Sequence, residues 1–570
     1  MLELLKLIKY KWKYYILGAI ALILVDGLQM LVPMIVGRAI DRIATLQMTQ
    51  EELLRYFLIL LSLGISIAVI RFFWRWFIIK PAREIQRDLR QRIYRHLLYL
   101  DVEVFHRMKT GDIMAKATND LEAVRMAISF GIIAISDTII YTSLALIAML
   151  SISPYLTGIT LVPLLLIAPS ALVFGRLIYR RFRRVQDLFG KLSEFVRETL
   201  EGIYVVKAYA KEEEFSGLFR RMNDRYLKAN IDLVKVWGSY FPLITMLAGF
   251  SIAVLLLWGG IATIHNRISI GDFVAFLTYL NMLVWPMMGI GWSINMFQRG
   301  AASYRRIQEL LSIPPKEFSG RHRGRVRGDV EFRNLTFSYD GENPVLKDIT
   351  FHIREGETVG ILGRIGSGKS TLVRLLLRLY EPPHGTVFVD GVDVREWNLR
   401  DLREGMAYVP QESFLFSMTI RENLLFGNPD ATEEEIIEAC RIADIWKEIE
   451  RMPAGLDTVI GERGITLSGG QKQRLSIARA ILKKPRILIL DDAFSSLDSE
   501  TEKAIISRLR EYIKGITTFI ISHRIASIKD AHLIIVLERG QIREMGTHEE
   551  LIALEGIYYN IWRMQTLAGV

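Results

Sequence analysis

Cysteine is all but absent: Cys440 is the one thiol in the chain, which excludes an internal disulfide framework and suits a soluble part facing a reducing cytosol. Cys440 falls in a helix-like run, 433–449, where packing is its expected role. The first apolar stretch lacks a small-residue cleavage site, so a retained anchor is expected there rather than a removable signal peptide. Nor is the basic excess, a net charge of +10, arranged as a nucleic-acid surface would need, because the lysines and arginines sit mostly beside apolar runs. What is present is unusual in combination. A chain of 570 residues is too long for one compact core. It is 51% hydrophobic with a mean hydropathy of +0.23, yet 24% charged, as a membrane part joined to a soluble part would be.

A hydrocarbon core of roughly 30 Å needs about 20 apolar residues per helix. Six segments meet that length, at about 14–35, 56–79, 128–150, 155–179, 237–264 and 273–297. The connections alternate in length and charge. Lys6, Lys9, Lys11 and Lys13 precede the first span, and long basic stretches join the second to the third and the fourth to the fifth. The other three loops are shorter and carry few basic residues, Arg38, Arg42, Arg55 and Arg267. Positive charge stays on the cytoplasmic side, which predicts that both ends of the membrane part face the cytosol. Apolar residues keep a helical spacing through the long connections, as in Leu192, Phe195, Val196, Leu200 and Ile203, so the membrane helices are expected to run far into the cytoplasm. They are expected to double back at short turns near Gly111 and Lys211.

Asp26, Arg71 and Asp137 fall in or near these spans, where an ionisable group is costly and either pairs internally or meets substrate. Spans five and six carry Phe241, Met246, Phe250, Trp258, Phe276, Met282, Trp285, Met287, Met288, Trp292 and Met296, which suit an adaptable apolar surface or contact with lipid.

After Ile313 the composition changes. Residues 1–312 form the membrane domain, the polar run 313–328 a linker, and 329–570 a domain in which short β-rich runs alternate with helical patterns. That alternation predicts an α/β fold around a mainly parallel sheet. The buried run from Thr358 to Leu362 opens into Gly363, Arg364, Ile365, Gly366, Ser367, Gly368, Lys369 and Ser370, with an amphipathic helix from Thr371. This is a phosphate loop in its strand–loop–helix setting, whose glycines let backbone N–H groups cradle the phosphates of ATP. Lys369 should reach the β- and γ-phosphates and Ser370 should bind Mg²⁺. A second buried strand ends in Asp491 and Asp492, which places Asp491 to hold the same Mg²⁺.

Between these elements, Leu467-Ser468-Gly469-Gly470-Gln471 and the following Lys472-Gln-Arg-Leu-Ser resemble the signature sequence of ATP-binding-cassette (ABC) transporters. Six spans before one cassette resemble the exporter order over essentially the whole chain, so the implied fold is a helical six-span membrane domain followed by a phosphate-loop ATPase with a helical subdomain. The resemblance implies that Tyr339 stacks on adenine and that Gln411 links Mg²⁺ and the attacking water to the membrane half. It implies that His523 senses the γ-phosphate, that 461–464 resembles the cross-linking loop, and that 495–498 resembles the dimer-contact loop. The segments 111–120 and 201–210 are similar to those around the two coupling helices. It also implies that two cassettes pair head to tail, each signature capping ATP on the opposite phosphate loop, so the working unit needs a second half-transporter.

One departure matters. The family places glutamate after the Mg²⁺ aspartate, and here that position is Asp492, one methylene shorter. A base must lie within hydrogen-bond reach of the proton it takes, directly or through one water, so slow turnover of this chain's own ATP is expected. With the signature intact, the pattern resembles the degenerate-site subunit of a bacterial heterodimeric multidrug exporter in the inner membrane, moving hydrophobic or amphipathic drugs, lipids or peptides. A homodimeric exporter or lipid flippase, an importer on the same fold and an ATP-gated regulator without active transport are the alternatives.

Overall fold

In the computed structural model, residues 2–46, 48–316, 320–461 and 467–567 are described. The chain divides into two compact units: one holds 1–98 and 109–314, the other 99–108 and 315–570.

The first unit is helical. Its long helices are α1 (Trp12–Ala44), α2 (Gln50–Leu98), α4 (Thr110–Ile152), α5 (Pro154–Glu201) and α7 (Glu212–Ile264), all long and apolar enough to cross a membrane. The sixth apolar stretch is broken at Leu283 into α8 (Ile270–Met282) and α9 (Val284–Leu311). At 1.5 Å per residue the 49 residues of α2 reach about 75 Å, far more than a bilayer needs, as the continued helical spacing predicts. The first doubling-back comes earlier than expected. It is the short helix α3 (Val102–Arg107), part of the second unit, while Gly111 lies in the first turn of α4. Asp101, accepting from the Val102 N–H at 2.7 Å, was the available signal, an N-cap without glycine or proline. The second short helix, α6 (Ile203–Ala208), lies just before Lys211, which stands at the N-cap position of α7.

First and sixth spans meet through small residues and a cap. A Cβ on Gly271 would fall 2.0 Å from the Gly37 carbonyl oxygen, so only glycine permits the approach. Asp41 then accepts from Ser269 Oγ and from the Gly271 N–H, each at 2.6 Å, satisfying the exposed donors at the start of α8. Among the intramembrane charges, Arg71 donates to Gln29 Oε1 at 2.8 Å, Asp26 is buried and Asp137 is half-buried. Of the apolar side chains of spans five and six, Phe276 is fully buried in the helical core while Phe241, Phe250 and Trp285 are exposed. The side chains of Met287, Met288 and Trp292 lie outside the described residues.

The second unit is built on two sheets. Strands β1 (Val330–Phe337), β2 (Leu346–Ile353), β4 (Val387–Val389) and β5 (Val392–Asp393) pair antiparallel in the order β2-β1-β4-β5. Strands β3 (Thr358–Gly363), β6 (Met406–Val409), β7 (Ile487–Asp491), β8 (Thr517–Ile521), β9 (Leu533–Glu538) and β10 (Gln541–Gly546) form the second, in the order β10-β9-β3-β8-β7-β6. All its pairs are parallel except β10 with β9. The mainly parallel sheet is the expected one; the antiparallel sheet is an addition that alternation alone did not announce. β3, β7 and β8 are buried on both faces, as strands covered by crossover helices must be. The run read as a linker is partly fastened. His322 exchanges backbone bonds with Glu396 and Asn398 and sets its ring edge-on to Trp397 at 4.3 Å, whereas 317–319 lie outside the described residues.

Candidate functional site

Parallel strands put their carboxyl ends at one edge of a sheet, and in open α/β sheets ligands bind there. The phosphate loop and three further expected residues arrive by this route. The phosphate loop leaves β3 at Gly363, Asp491 ends β7, Gln411 lies two residues past β6, and His523 two residues past β8. Together they line a cavity of about 180 Å³ whose wall includes Ile365, Gly366, Ser367, Gly368, Lys369, Ser370, Thr371, Gln411, Asp491, Asp492 and His523.

The loop's shape follows from its glycines. Gly366 and Gly368 have φ of 80° and 99°, the left-handed region that side chains avoid, and Gly368 sits directly before helix α10 (Lys369–Leu376). The N–H groups at that helix start are unsatisfied within the helix and form an anion site. Lys369 folds back, its Nζ donating to the Gly363 carbonyl at 2.8 Å and the Arg364 carbonyl at 3.0 Å. Burial pulls the Lys369 ammonium below its ordinary range, against the pull of Asp492 and Asp491. Ser367 Oγ is buried with no hydrogen-bond partner, which is costly unless a ligand oxygen meets it. Gly363 and Arg364 are the loop residues not on the cavity wall, and Ile365 stands almost wholly exposed at the loop's tip.

Oxygen donors converge opposite the loop. Ser370 Oγ donates to Asp491 Oδ1 at 2.9 Å, and Tyr408 OH donates to Asp491 Oδ2 at 3.1 Å. Burial pushes the Asp491 carboxyl up, partly offset by these two hydroxyls. The neighbouring Asp492 has φ of 51°, its N–H fixed to the Ile521 carbonyl at 2.9 Å, and its Oδ2 accepts from Gln411 Nε2 at 3.4 Å. His523 is held below the ordinary imidazole range by burial and by the Lys369 charge.

Tyr339 stands beside the loop helix rather than on the cavity wall. Its OH donates to Thr371 Oγ1 at 3.0 Å, and its ring meets Tyr380 edge-on at 4.8 Å. The residues Ser468, Gly469, Gly470 and Gln471 are elsewhere: none of them is among the described residues lining the cavity. Ser468 caps helix α11 (Gly469–Leu482) in a reciprocal capping box with Gln471, and Gln471 Nε2 donates to Glu448 at 2.6 Å. Gln473, two residues on, donates to Ser495 Oγ at 3.0 Å and accepts from the Ser496 N–H at 2.9 Å, tying that helix to the loop after β7. Residues 462–464 of the expected cross-linking loop lie outside the described residues. Sequence reasoning missed Tyr408, Ser367 as an unpartnered donor, and Glu448. Tyr408 was visible as the polar-tipped side chain in the strand just before Val409, Pro410 and Gln411, but nothing in the sequence pairs it with Asp491.

A phosphate loop on a parallel sheet, joined to a bundle of bilayer-length helices, defines an ATP-binding domain fused to a membrane domain. Residues 15–287 match the ABC transporter transmembrane region, and residues 346–495 match the ABC transporter family. The chain is similar to the YheI ABC transporter ATP-binding/permease protein of Bacillus subtilis (strain 168), 37% identical over 98% of this chain and 96% of that one. It is 33% identical to the multidrug resistance-like ATP-binding protein MdlA of Escherichia coli (strain K12), over 98% and 95%. An ATP-dependent lipid A-core flippase of Nitrosococcus oceani is 35% identical over 85% and 82%. Among solved structures, a bacterial Atm1-family ABC exporter with ATP bound superposes with a TM-score of 0.78 at 27% identity, covering 97% of this chain and 98% of that one. The chain belongs to the ABC transporters. It is an ATPase-coupled, multi-pass membrane exporter with one membrane domain fused to one nucleotide-binding domain.

Proposed function

We propose that this chain is the degenerate-site half of a heterodimeric exporter, which binds ATP on its own phosphate loop, hydrolyses it slowly, and lends its signature to a partner's competent site. The observation that carries this is Asp492 at the strand end, reaching Gln411 only at 3.4 Å, while Ser468–Gly470 stay away from the chain's own cavity. A glutamate there would extend further toward the γ-phosphate. A signature with no ATP of its own to cap needs a second cassette.

In this scheme the N–H groups of 366–371 and Lys369 take the phosphates, Lys369 leaving its two carbonyl partners, and Tyr339 meets adenine. Ser370, Asp491 and Gln411 offer the hard oxygen donors that suit Mg²⁺, and the unpartnered Ser367 Oγ suits a phosphate oxygen. The metal would neutralise charge on the β- and γ-oxygens. His523 donates to the γ-phosphate. Asp492, set back by one methylene, orients the attacking water poorly. ATP held here through many turnovers acts as a clamp whose contribution is binding, and closure of the cassettes switches the membrane cavity from inward- to outward-facing.

The names of the relatives, multidrug resistance-like proteins and a lipid flippase, support a hydrophobic or amphipathic cargo. The bacterial relatives support a prokaryotic inner membrane location, and the positive-inside pattern supports both ends being cytoplasmic. The test is ATP turnover by the purified full chain alone. Slow turnover with retained Mg-ATP binding is expected, and fast turnover abolishes the case for an impaired site.

A further inference from the structure

His523 lines the ATP cavity, but the loop that carries it is held from outside the cavity. Helix α13 (Ile557–Leu567) supplies Gln565, whose Nε2 donates to the His523 carbonyl at 2.7 Å and whose Oε1 accepts from the Ile525 N–H at 2.9 Å. One primary amide therefore brackets Arg524, presenting its donor to an acceptor and its acceptor to a donor. The Ile525 N–H opens a short helical turn, Ile525–Ile528, and has no partner within that turn.

The other side of the loop is held independently. Arg524 Nη1 donates to Glu502 and to the Leu497 carbonyl at 3.3 Å, and the Arg524 N–H donates to Ser522 Oγ at 3.0 Å. Gln565 does not ride on a loose tail. The start of α13 is fastened by Glu544, which accepts from the Ile557 N–H at 2.5 Å and the Tyr558 N–H at 2.8 Å. Tyr558 is fully buried and its OH meets His548 Nδ1 at 2.6 Å. The clamp is thus carried by a helix whose start is anchored in the same unit.

We propose that Gln565 is a positioning residue for His523: by fixing the backbone on both sides of Arg524, it aims the imidazole at the γ-phosphate of ATP on this chain's own loop. This rests on the γ-phosphate role given to His523 above. Since ADP lacks that phosphate, a misaimed His523 weakens ATP binding and leaves ADP binding alone. The loss expected is about 10-fold in the ratio of ATP to ADP affinity, the size of one hydrogen bond to a charged group.

The experiment titrates the full-length chain in nanodiscs with a non-hydrolysable Mg-ATP analogue and with Mg-ADP, for wild type, Gln565→Ala, Gln565→Glu, His523→Ala and Gln565→Ala/His523→Ala. Gln565→Glu keeps the size and the bond from Ile525 but replaces the donor to the His523 carbonyl with a repelling oxygen, so it tests the clamp should the alanine variant fail to fold. Both Gln565 variants and His523→Ala should cut the ratio about 10-fold with ADP affinity unchanged, and the double variant should be no worse than His523→Ala alone. If His523→Ala lowers the ratio and the Gln565 variants do not, or if they weaken ATP and ADP equally, Gln565 is merely structural and the proposal falls. An unchanged ratio in His523→Ala overturns the role of His523 itself, a separate failure that takes the proposal with it.

Discussion

Replacing Asp492 with glutamate measures how much of the hydrolytic deficit is one missing methylene. The added C–C bond moves the carboxylate outward by about 1.5 Å. The main chain cannot slide to supply that distance, because Asp492 is pinned by its N–H to the Ile521 carbonyl at 2.9 Å and sits at a φ of 51°. A misplacement of order 1 Å costs about 100-fold in rate, or about 2.7 kcal/mol in the barrier. Asp492→Glu should therefore raise kcat of the purified full chain about 100-fold, measured as phosphate release at saturating Mg-ATP. KM should change little, since Lys369 and the loop amides do the binding. Glutamate tolerates a left-handed backbone less well than aspartate, so a slightly lower Tm is expected, too small to mask the gain. Asp492→Asn should match wild type, because an ineffective base has little to lose. Should Asp492→Asn abolish a turnover that Asp492→Glu does not improve, Asp492 is already a working base and the reach argument is refuted.

Cys440 is fully buried and its thiol is pushed up to about 12 by burial, so alkylation at pH 8 should proceed only after denaturation, as mass spectrometry of the labelled chain would register. Burial opposes ionisation of Glu381, but Arg378 at 2.9 Å and Lys316 at 3.2 Å win, leaving its carboxyl below the ordinary 4.5. The native state thus binds fewer protons than the unfolded one in that window, and the stabilisation is complete above pH 4.5 and lost as pH falls through the lower folded value. Glu381→Gln should flatten that acid limb in thermal melts of the full chain. Asp101 both caps α3 and pairs with Lys316 at 3.0 Å within the cassette unit, so Asp101→Ala should loosen α3 by about 1 kcal/mol for the cap and more for the pair. If α3 transmits cassette closure, drug-stimulated ATPase of the assembled transporter should fall while basal ATPase and ATP affinity hold, and equal loss of all three would reject a coupling role.

The parts of this molecule written in local pattern were legible, and those that depend on distant pairing were not. β3 with its glycines announces a phosphate loop because the required φ values at Gly366 and Gly368 leave few other residues possible. Bilayer-length apolar runs announce α1, α2, α4, α5 and α7 by solvent physics alone. The turn at α3 was misplaced toward Gly111 because glycine is the louder signal, whereas the chain breaks at Asp101 by side-chain capping. Tyr408 and Asp491 are neighbours only because β6 lies beside β7, a register that no single segment encodes. Gln565 is further still: a polar residue on the exposed end of an amphipathic helix carries no sign that it reaches back to His523.

These unencoded contacts form a contiguous route through the cassette. From Ser468, capping α11, it runs through Gln473 to Ser495 and Ser496, on to the Leu497 carbonyl, then to Arg524 and the loop that holds His523. Helix α12 (Ser499–Tyr512) braces it through Glu502, which meets both Arg524 and Ser527. In a head-to-tail pair of cassettes the first end of that route would face a partner's nucleotide and the last end this chain's own. Spatial continuity alone does not demonstrate energetic coupling. It does say where coupling has to show: Gln473→Ala removes two of these bonds without touching either nucleotide, and a change in the ATP affinity of this chain's loop on that substitution would be carried through Ser495, either onward to Arg524 or straight to Asp492, whose carbonyl accepts from the Ser495 N–H at 3.3 Å.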